Sequence, residues 1–450
     1  MLADGGLFYG GPASDGAKKF LYALVQHCLN GTNAITGERG CGKVDFFNAH
    51  LKGDQSALPI TTAELPIAET VAQMIAGTDL AGKVAWGNDE ADPKVHWSSP
   101  YDWRADARYA AMVPKVLTQH IQTFVPGKEL GDGFTYDVLS NDNGFLPYPD
   151  NNQSTFAQRT LVARFAMNKS HPPTVEVVRK PVLNAMGMLA KLGTSRVAVG
   201  GLGDPDLAML GGIATRDASS AAVLLYSSQD SQAAPPDART AVSLTLANLP
   251  PTMAAGKGAA AALFLLDDAH GNALAAWEAQ GRPLFPSAAD FAQMRAASEI
   301  AMAPGYPKPL DRLRHAADDG PSAATASIAM RTPAVALLHV CAQQGTPPPP
   351  VNVSVHVTPT PGTTLVKWQD SSRCVATFII ERSTEKDGTY QRVNVADTVW
   401  LSFIHAGGRA ARGPGCYRVR TKDYWGAVSA PSPAACTPAF PSGAWKPRPS

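Results

Sequence analysis

The stretch Val84–Pro93, which reads VAWGNDEADP, joins a short apolar strand directly to a cluster of acidic side chains. Two more predicted strands have the same layout, since Val44–His50 is followed by Lys52, and Phe134–Ser140 is followed by Asn141–Asn143. In a parallel sheet the carboxyl ends of the strands lie on one edge, which is where active sites form. We therefore expect the ionisable side chains after these three strands to lie close together.

Helical segments separate these strands. Apolar residues recur at helical spacing in Ala17–Leu29, Ile67–Ala76, Trp103–Phe124 and Pro181–Leu192. Pro66 near the first turn and Gly77 just past the end set the predicted bounds of the second helix. With Leu7–Gly11 as a first strand, the alternation predicts β-α units, and hence a parallel sheet with right-handed crossovers.

The pattern changes in the second half of the chain. Short strands separated by Gly, Pro and Asp turns between residues 195 and 345 indicate an antiparallel sandwich, with a helical insertion at about 273–300. Pro347–Pro350 forms a stiff polyproline linker. Regularly spaced strands over 351–438 then suggest a small fibronectin-type sandwich. We expect three domains, at residues 1–192, 193–346 and 351–450.

Composition excludes two classes of function. The chain has 450 residues, with 39 Lys and Arg against 38 Asp and Glu, which gives a net charge of +1. Nucleic-acid binding needs a basic surplus or patch to contact phosphates, so we expect no nucleic-acid partner. The longest apolar run is Ala259–Leu266, which is far shorter than the roughly 18 residues that a membrane-spanning helix needs. We therefore expect no membrane partner either.

The acidic cluster after Asn88 admits two interpretations. Acidic and amide residues that follow strands also cap helices and close turns. Three successive strand ends with ionisable residues make that interpretation weaker, because each would need the same coincidence. Carboxylates beside a Trp and a basic residue suit a sugar site, where the ring stacks on the aromatic face and a carboxylate attacks the anomeric carbon.

Six cysteines indicate an oxidising environment rather than a metal site. None forms a CxxC pair, and four lie in the last quarter of the chain. Asn-x-Ser/Thr sequons at Asn30, Asn152, Asn168 and Asn352 fit the same compartment, although the N-terminal residues do not read as a signal peptide. Cys28 lies on the apolar stripe of a predicted helix and is expected to be a buried thiol. A Cys28–Cys41 bridge is the alternative, and no pattern supports it.

Several longer motifs carry a family resemblance. They are, in chain order, Asn88–Pro93 (NDEADP), Trp103–Asp106 (WRAD), Tyr109–Val113 (YAAMV), Leu139–Asn143 (LSNDN), Phe156–Thr160 (FAQRT), Arg179–Leu183 (RKPVL), Arg282–Pro286 (RPLFP), His339–Cys341 (HVC) and Tyr417–Trp425 (YRVRTKDYW). Over essentially its whole length the chain resembles the α-L-iduronidases of glycoside hydrolase family 39.

The resemblance implies a fold, an activity and a compartment. The fold is an α/β (β/α)₈ TIM barrel, followed by a β-sandwich with a helical insertion and a C-terminal fibronectin type III-like domain. The activity is retaining hydrolysis that removes terminal α-L-iduronate from glycosaminoglycans such as dermatan and heparan sulfate. No metal or organic cofactor is implied, and the compartment is lysosomal or secreted.

The resemblance also implies roles for individual residues. Glu90 corresponds to the catalytic nucleophile, and the substrate-binding positions are His50, Lys52, Trp97, Asp142 and Arg159. Lys52 and Arg159 suit a uronate, whose carboxylate pairs with a basic side chain. The alternative for Arg159 is a structural ion pair with Asp142. Other matched positions are Asn168, which falls at a glycosylated Asn, and the cysteines of two implied disulfides, Cys341–Cys374 and, as a weaker candidate, Cys416–Cys436.

One family motif is missing. The acid/base glutamate of the family lies in Trp-Asn-Glu-Pro, and Asn-Glu-Pro occurs nowhere in these residues. If Leu7–Gly11 is the fifth barrel strand, we expect an incomplete sequence that holds only barrel strands 5–8 and lacks the general acid. The alternatives are another family 39 activity, such as β-xylosidase, and a noncatalytic glycan-binding protein.

Overall fold

The structure is a computed structural model that describes most of the chain. The described residues are 2–4, 15–53, 60–93, 100–125, 135–141, 155–167, 174–202, 209–228, 239–249, 253, 258–309, 323–342, 345–358, 363–370, 372–394, 398–406 and 415–437. None of the helices within these ranges combines the length and the apolar character that crossing a bilayer requires.

A parallel sheet with helices between its strands occupies the first third of the chain. Its elements are β1 (Leu2–Asp4), α1 (Asp15–Asn30), β2 (Phe46–Ala49), α2 (Ile60–Ile75), β3 (Ala85–Asn88), a 3₁₀ turn (Asp102–Arg104), α3 (Ala107–Phe124) and β4 (Tyr136–Leu139). The strand order is β1-β2-β3-β4, and every neighbouring pair is parallel. The predicted parallel sheet is confirmed, and the predicted strand Leu7–Gly11 lies outside the described residues.

The helices cover the sheet through a shared apolar core. Phe47 on β2 and Trp86 on β3 are fully buried against Val25 of α1 and Val71 of α2. Burying an aromatic side chain of this size contributes about 1.5–3 kcal/mol. The core fixes the register of the strands, and so fixes which residues follow their carboxyl ends.

The second helix is longer than predicted, because α2 begins at Ile60 and Pro66 lies in its interior. The buried face continues backwards from Ile67 through Glu64 to Ile60 at helical spacing. A carboxylate in that face breaks the apolar pattern, which is why the pattern placed the start of the helix after Pro66. Thr70 donates from Oγ1 to the Pro66 carbonyl oxygen at 2.8 Å.

The interpretation of Cys28 as a buried thiol is wrong. Cys28 and Cys41 form a disulfide with their Cα atoms 4.4 Å apart. The loop after α1 returns over the end of the helix through Gly40, whose φ is +80° and whose missing Cβ would lie 2.5 Å from the Cys28 carbonyl oxygen. The Gly40 amide donates to the Gly31 carbonyl oxygen at 2.7 Å. Only a glycine permits this close approach.

Two further details differ from the helical pattern. The predicted helix Trp103–Phe124 is a 3₁₀ turn followed by α3, because Asp106 caps α3 by accepting from the Arg108 amide at 2.8 Å.

Beyond β4 an antiparallel hairpin, which the sequence did not indicate, precedes the next helix. Its strands and that helix are β5 (Val162–Met167), β6 (Thr174–Arg179) and α4 (Pro181–Leu189). The helix predicted over Pro181–Leu192 ends at Leu189, three residues earlier than predicted.

The middle of the chain forms antiparallel sheets. Its elements are β7 (Ser195–Val197), β8 (Leu210–Arg216), β9 (Ser220–Ser227), β10 (Arg239–Leu246), β11 (Ala259–Leu266), α5 (Leu274–Ala279), α6 (Ala288–Ala297), β12 (Lys308–Pro309), β13 (Ala324–Arg331) and β14 (Ala334–Ala342). A six-stranded sheet of order β12-β11-β14-β9-β8-β7 packs on the pair β10-β13 through Leu225, Leu338, Val242 and Ile328. The two helices lie within the predicted insertion.

The last strands form two more antiparallel sheets. They are β15 (Val351–Val357), β16 (Thr363–Gln369), β17 (Val375–Ser383), β18 (Gln391–Arg392), β19 (Ser402–Ala406), β20 (Cys416–Asp423) and β21 (Ala435–Cys436). The sheet orders are β15-β16-β19 and β18-β17-β20-β21, with Trp368 and Phe378 in the core between them. Disulfides are present at Cys341–Cys374 and Cys416–Cys436, the two pairs that the resemblance implies.

A buried histidine lies beside the first of these disulfides. His339 on β14 is fully buried, and its Nδ1 lies 2.6 Å from the Tyr424 hydroxyl. Burial, together with the nearby charges of Lys191 and Arg373, lowers the pKa of His339 from 6.5 to about 3. The folded protein therefore holds this imidazole neutral where an unfolded chain would protonate it.

We predict that His339 makes the protein less stable as the pH falls. Between pH 6.5 and about 3 the unfolded chain binds a proton that the folded chain excludes, so the free energy of unfolding falls by about 1.4 kcal/mol per pH unit. Urea unfolding at pH 7 and pH 4.5 should show His339→Gln losing roughly 2–3 kcal/mol less than the wild type. Equal losses in the two proteins would contradict the prediction.

We also predict that the Cys341–Cys374 disulfide stabilises the protein. It closes 33 residues of chain, which should contribute about 3–4 kcal/mol in the chain-entropy model. A Cys341→Ala, Cys374→Ala double variant should lose this amount in denaturant unfolding under oxidising conditions. Free thiols at both positions in a non-reducing peptide map of the wild type would refute the pairing.

Candidate active site

The carboxyl ends of β2 and β3 bring a lysine and a glutamate into direct contact. Lys52 Nζ lies 2.5 Å from Glu90 Oε2. The imidazole of His50 lies between two carboxylates, with Nδ1 3.4 Å from Glu90 Oε2 and Nε2 3.4 Å from Asp89 Oδ1. The structure therefore brings His50, Lys52 and Glu90 together at the predicted edge of the sheet.

The two members of the ion pair differ in access to solvent. The Lys52 side chain is 4% exposed, whereas the Glu90 side chain is 32% exposed. The Lys52 ammonium therefore contacts the Glu90 carboxylate from the protein interior, at the distance of a charge-assisted hydrogen bond. The Glu90 carboxylate is thus held by a buried lysine on one side and accessible to solvent on the other.

The amide of Asn88 joins the two loops that carry this pair. Asn88 Nδ2 donates to the Leu51 carbonyl oxygen at 2.8 Å, and Asn88 Oδ1 accepts from the Leu51 amide at 3.1 Å. The same oxygen accepts from the Glu90 amide at 3.3 Å. Asn88 thereby acts like an additional backbone unit that extends the pairing of β2 and β3 past their ends.

The same loops approach each other closely at Gly53. Its amide donates to the Asp92 carbonyl oxygen at 3.0 Å. A Cβ on Gly53 would lie 2.2 Å from the Pro93 carbonyl oxygen, so a side chain at this position would push the loops apart. A glycine is needed here for the distance rather than for its backbone angles.

A second buried cluster surrounds Arg159. Its Nε lies 3.7 Å from Asp92 Oδ2. The hydroxyl of Tyr109, on α3, lies within hydrogen-bond distance of two acceptors, Asp92 Oδ2 at 3.1 Å and Asn141 Oδ1 at 3.0 Å. Burial, and then the charge of Asp92, raise the pKa of the Tyr109 hydroxyl well above 10. Among the described residues, Asp92 is thus a carboxylate that contacts both Arg159 and Tyr109.

A buried lysine holds the segment that carries Arg159. Lys180 is fully buried and donates from Nζ to the Gln158 carbonyl oxygen at 2.5 Å, with Thr160 Oγ1 at 3.5 Å. Burial, and then the charge of Arg104, lower the pKa of Lys180 well below 10.5. Lys180 thus contacts both neighbours of Arg159, through the backbone of Gln158 and the side chain of Thr160.

Three predicted site residues cannot be placed, because Trp97, Asp142 and Asn168 lie outside the described residues. The sequence reasoning missed the roles of Asn88 and Tyr109. Asn88 was read as the last residue of a strand, although its position directly before the acidic cluster was a usable signal. Tyr109 lies in a buried helix, where nothing in an apolar pattern separates a core tyrosine from a site tyrosine.

Metal-ligand side chains cluster elsewhere. Among the residues described, the group of three whose ligand atoms lie within 4.8 Å of one another is His339, Cys341 and Cys374. The two sulfur atoms of that group are bonded to each other, which leaves no thiolate for an ion.

Comparison with known proteins supplies the family. The model of "Glycosyl hydrolases family 39" matches residues 2–311, and that of "Alpha-L-iduronidase C-terminal domain" matches residues 353–436. The chain belongs to glycosyl hydrolases family 39. The first match contains the whole parallel sheet, and so contains the Lys52–Glu90 pair.

Curated relatives of this family 39 chain are α-L-iduronidases. It is 37% identical to the Homo sapiens enzyme over 423 residues, which are 90% of this chain and 60% of the relative. It is 35% identical to the Canis lupus familiaris enzyme over 447 residues, which are 95% of this chain and 64% of the relative. The chain thus spans about 60% of the length of these relatives.

A solved structure shows the same fold. A protein described as the bacterial orthologue of human α-L-iduronidase has a TM-score of 0.71 and 24% identity, over 96% of this chain and 70% of that one. The chain therefore has the mixed helix and sheet fold of family 39 enzymes.

Proposed function

We propose that this family 39 chain carries the nucleophile side of a retaining glycosidase that removes α-L-iduronate from glycosaminoglycans. The observation that supports this best is the Lys52–Glu90 pair, 2.5 Å apart at the carboxyl end of a parallel sheet. A carboxylate that contacts a lysine and is open to solvent at this edge can attack an anomeric carbon. The names of the curated relatives support the same reaction.

The architecture follows from the same proposal. Strands β1 to β4 are barrel strands 5 to 8 of a (β/α)₈ barrel that occupies residues 1–192. The antiparallel sheets that follow form a β-sandwich over 193–346, and the last two sheets form a fibronectin type III-like domain over 351–450. Support comes from the all-parallel order of the first sheet and from the two-sheet core around Trp368 and Phe378.

Glu90 is the nucleophile in this proposal. One of its carboxylate oxygens forms a bond to the anomeric carbon while the bond from that carbon to the leaving oxygen breaks and a general acid protonates that oxygen. Water then hydrolyses the glycosyl ester and regenerates the Glu90 carboxylate. A retaining enzyme places the acid/base carboxyl about 5–5.5 Å from the nucleophile. The Asn-Glu-Pro motif that carries it in the family is absent from these 450 residues.

A uronate is the sugar that fits the charges of the site. Lys52 and Arg159 are basic, and both lie in the buried surroundings of the two clusters. A desolvated cation binds a sugar carboxylate strongly, through a charge-assisted hydrogen bond. A neutral xylose has no carboxylate to form such a bond, so the two basic side chains favour the uronidase over the β-xylosidase alternative.

The remaining assignments belong to the same proposal. His50, Trp97 and Asp142 bind the sugar ring, and Asn168 carries a glycan. The protein is lysosomal or secreted, a location that fits a glycosaminoglycan substrate. Its disulfides fit that compartment.

We predict that a fluorosugar uronide with fluoride as its leaving group labels Glu90. Fluoride leaves without a proton, so trapping of the nucleophile does not depend on the general acid. Peptide mass spectrometry should find the adduct on Glu90, and Glu90→Gln should abolish it while Asp89→Asn keeps it. An adduct on Asp89 or Asp92 would overturn the assignment, and no adduct on the wild type would favour a noncatalytic glycan-binding protein.

We predict that Lys52→Gln weakens the preference for a uronide. The measured quantity is the second-order rate of Glu90 labelling by the fluorosugar uronide divided by that for the matching neutral fluorosugar, both with fluoride as leaving group, because effects on Glu90 cancel in this ratio. The ratio should fall by about 10–100-fold, the value of a charge-assisted hydrogen bond. Lys43→Gln is the matched control, since this exposed lysine precedes β2 at the opposite end of the strand. An unchanged ratio in Lys52→Gln would refute the role.

A further inference from the structure

A carboxylate with no exposure to solvent lies beneath the Lys52–Glu90 pair. Glu64 on α2 is fully buried, and its Oε1 accepts from Trp86 Nε1 at 2.9 Å. Its Oε2 accepts from Asn88 Nδ2 at 2.9 Å and lies 2.9 Å from His120 Nε2. The proposed mechanism makes no use of this carboxylate.

The partners of Glu64 satisfy both of its oxygens. Trp86 donates to Oε1, and Asn88 donates to Oε2. His120 Nδ1 lies 2.7 Å from the Val116 carbonyl oxygen, which only accepts, so Nδ1 carries a hydrogen. His120 Nε2 and Glu64 Oε2 share one further hydrogen across 2.9 Å. Burial, and then the charge of Glu64, raise the pKa of the neighbouring Tyr136 hydroxyl well above 10.

Asn88 makes all of its hydrogen bonds in one orientation only. Its oxygen faces two backbone N–H groups, those of Leu51 and Glu90, and its nitrogen faces two acceptors, the Leu51 carbonyl oxygen and Glu64 Oε2. Rotating the amide by 180° would set donors against donors and acceptors against acceptors. Three of these partners are backbone groups of the loops, and Glu64 Oε2 is the side-chain acceptor that takes the remaining Asn88 hydrogen.

We infer that Glu64 is a positioning residue that orients Asn88 and thereby holds the nucleophile Glu90 and the Lys52 loop in register. Leu51 lies between His50 and Lys52, so the Asn88 amide contacts the loops that carry His50, Lys52 and Glu90. The inference rests on the proposed function for its kinetic consequence only, since the hydrogen bonds exist whatever the reaction is.

The variant Glu64→Gln should break this arrangement. A glutamine at the same place has one oxygen and one NH₂ group. With its oxygen toward Trp86 Nε1, the glutamine keeps the bond to Trp86 and can donate to His120 Nε2, and its NH₂ group then meets the Asn88 NH₂ group. The reverse orientation keeps Asn88 but sets the NH₂ group against the Trp86 N–H and the oxygen against His120 Nε2, so the first orientation is the one expected. Rotation of Asn88 would relieve that conflict only by turning its NH₂ group onto the Leu51 and Glu90 amides.

Trp86→Phe is the matched control. It removes a bond to the other oxygen of Glu64, at an equally buried position on β3, and leaves Oε2 and Asn88 as they are. Both variants should lose stability, because both leave a buried group unsatisfied. A residue with a merely structural role would therefore give the same local result in both.

The first readout is independent of any activity. Hydrogen exchange should show the Leu51 and Glu90 amides exchanging about 10-fold faster in Glu64→Gln and nearly unchanged in Trp86→Phe. Equal protection of both amides in the two variants would overturn the inference. If Glu64→Gln fails to fold, hydrogen exchange of the wild type alone is the test. The Leu51 and Glu90 amides should then exchange as slowly as the amides of β3. Exchange of these two amides at the rate of an unprotected loop would refute the inference.

The second readout is the rate of labelling of Glu90 by the fluorosugar uronide. A nucleophile displaced by about 1 Å reacts roughly 10²-fold more slowly, so Glu64→Gln should lower the limiting labelling rate by that factor and change the apparent dissociation constant much less. Trp86→Phe should keep the wild-type rate. Absence of labelling in the wild type contradicts the proposed function alone, whereas equal rates in both variants contradict the role of Glu64.

Discussion

The side-chain amide of Asn88 makes three of the hydrogen bonds that hold the loops of the candidate site in register. Pairing between β2 and β3 ends at Ala49 and Asn88, and farther along the loops the Gly53 amide donates to the Asp92 carbonyl oxygen. The Asn88 amide supplies the missing pairing to Leu51 and reaches Glu90 as well. Because an unsatisfied buried amide costs about 1–3 kcal/mol, this geometry is strongly preferred over any that breaks it.

Much of the site could be predicted from the sequence, because a strand of a parallel sheet delivers the residues after it to one edge. Glu90, Lys52 and His50 follow the strands β3 and β2 directly, so strand positions alone brought them together. The registers of the strands came from buried apolar residues such as Phe47 and Trp86. Local patterns of this kind survive folding because tertiary packing reinforces them.

The rest depended on contacts between segments that are distant in the chain. Glu64 lies in an apolar helix face, and its partners Asn88 and His120 are 24 and 56 residues away. The Cys28–Cys41 disulfide needed the backward turn at Gly40, and the contact of Arg159 with Asp92 joins residues that are far apart in the chain. A period of apolar residues carries no information on which buried polar groups satisfy each other.

A crystal structure of the protein with an unreactive uronide bound would test the assignment of nucleophile and uronate site most directly. The account predicts that the anomeric carbon lies about 3–3.5 Å from a Glu90 carboxylate oxygen, as a near-attack geometry requires. It also predicts that the sugar carboxylate forms a hydrogen bond with Lys52 or Arg159. A sugar bound with its carboxylate turned to solvent, or with its anomeric carbon away from Glu90, would contradict the account.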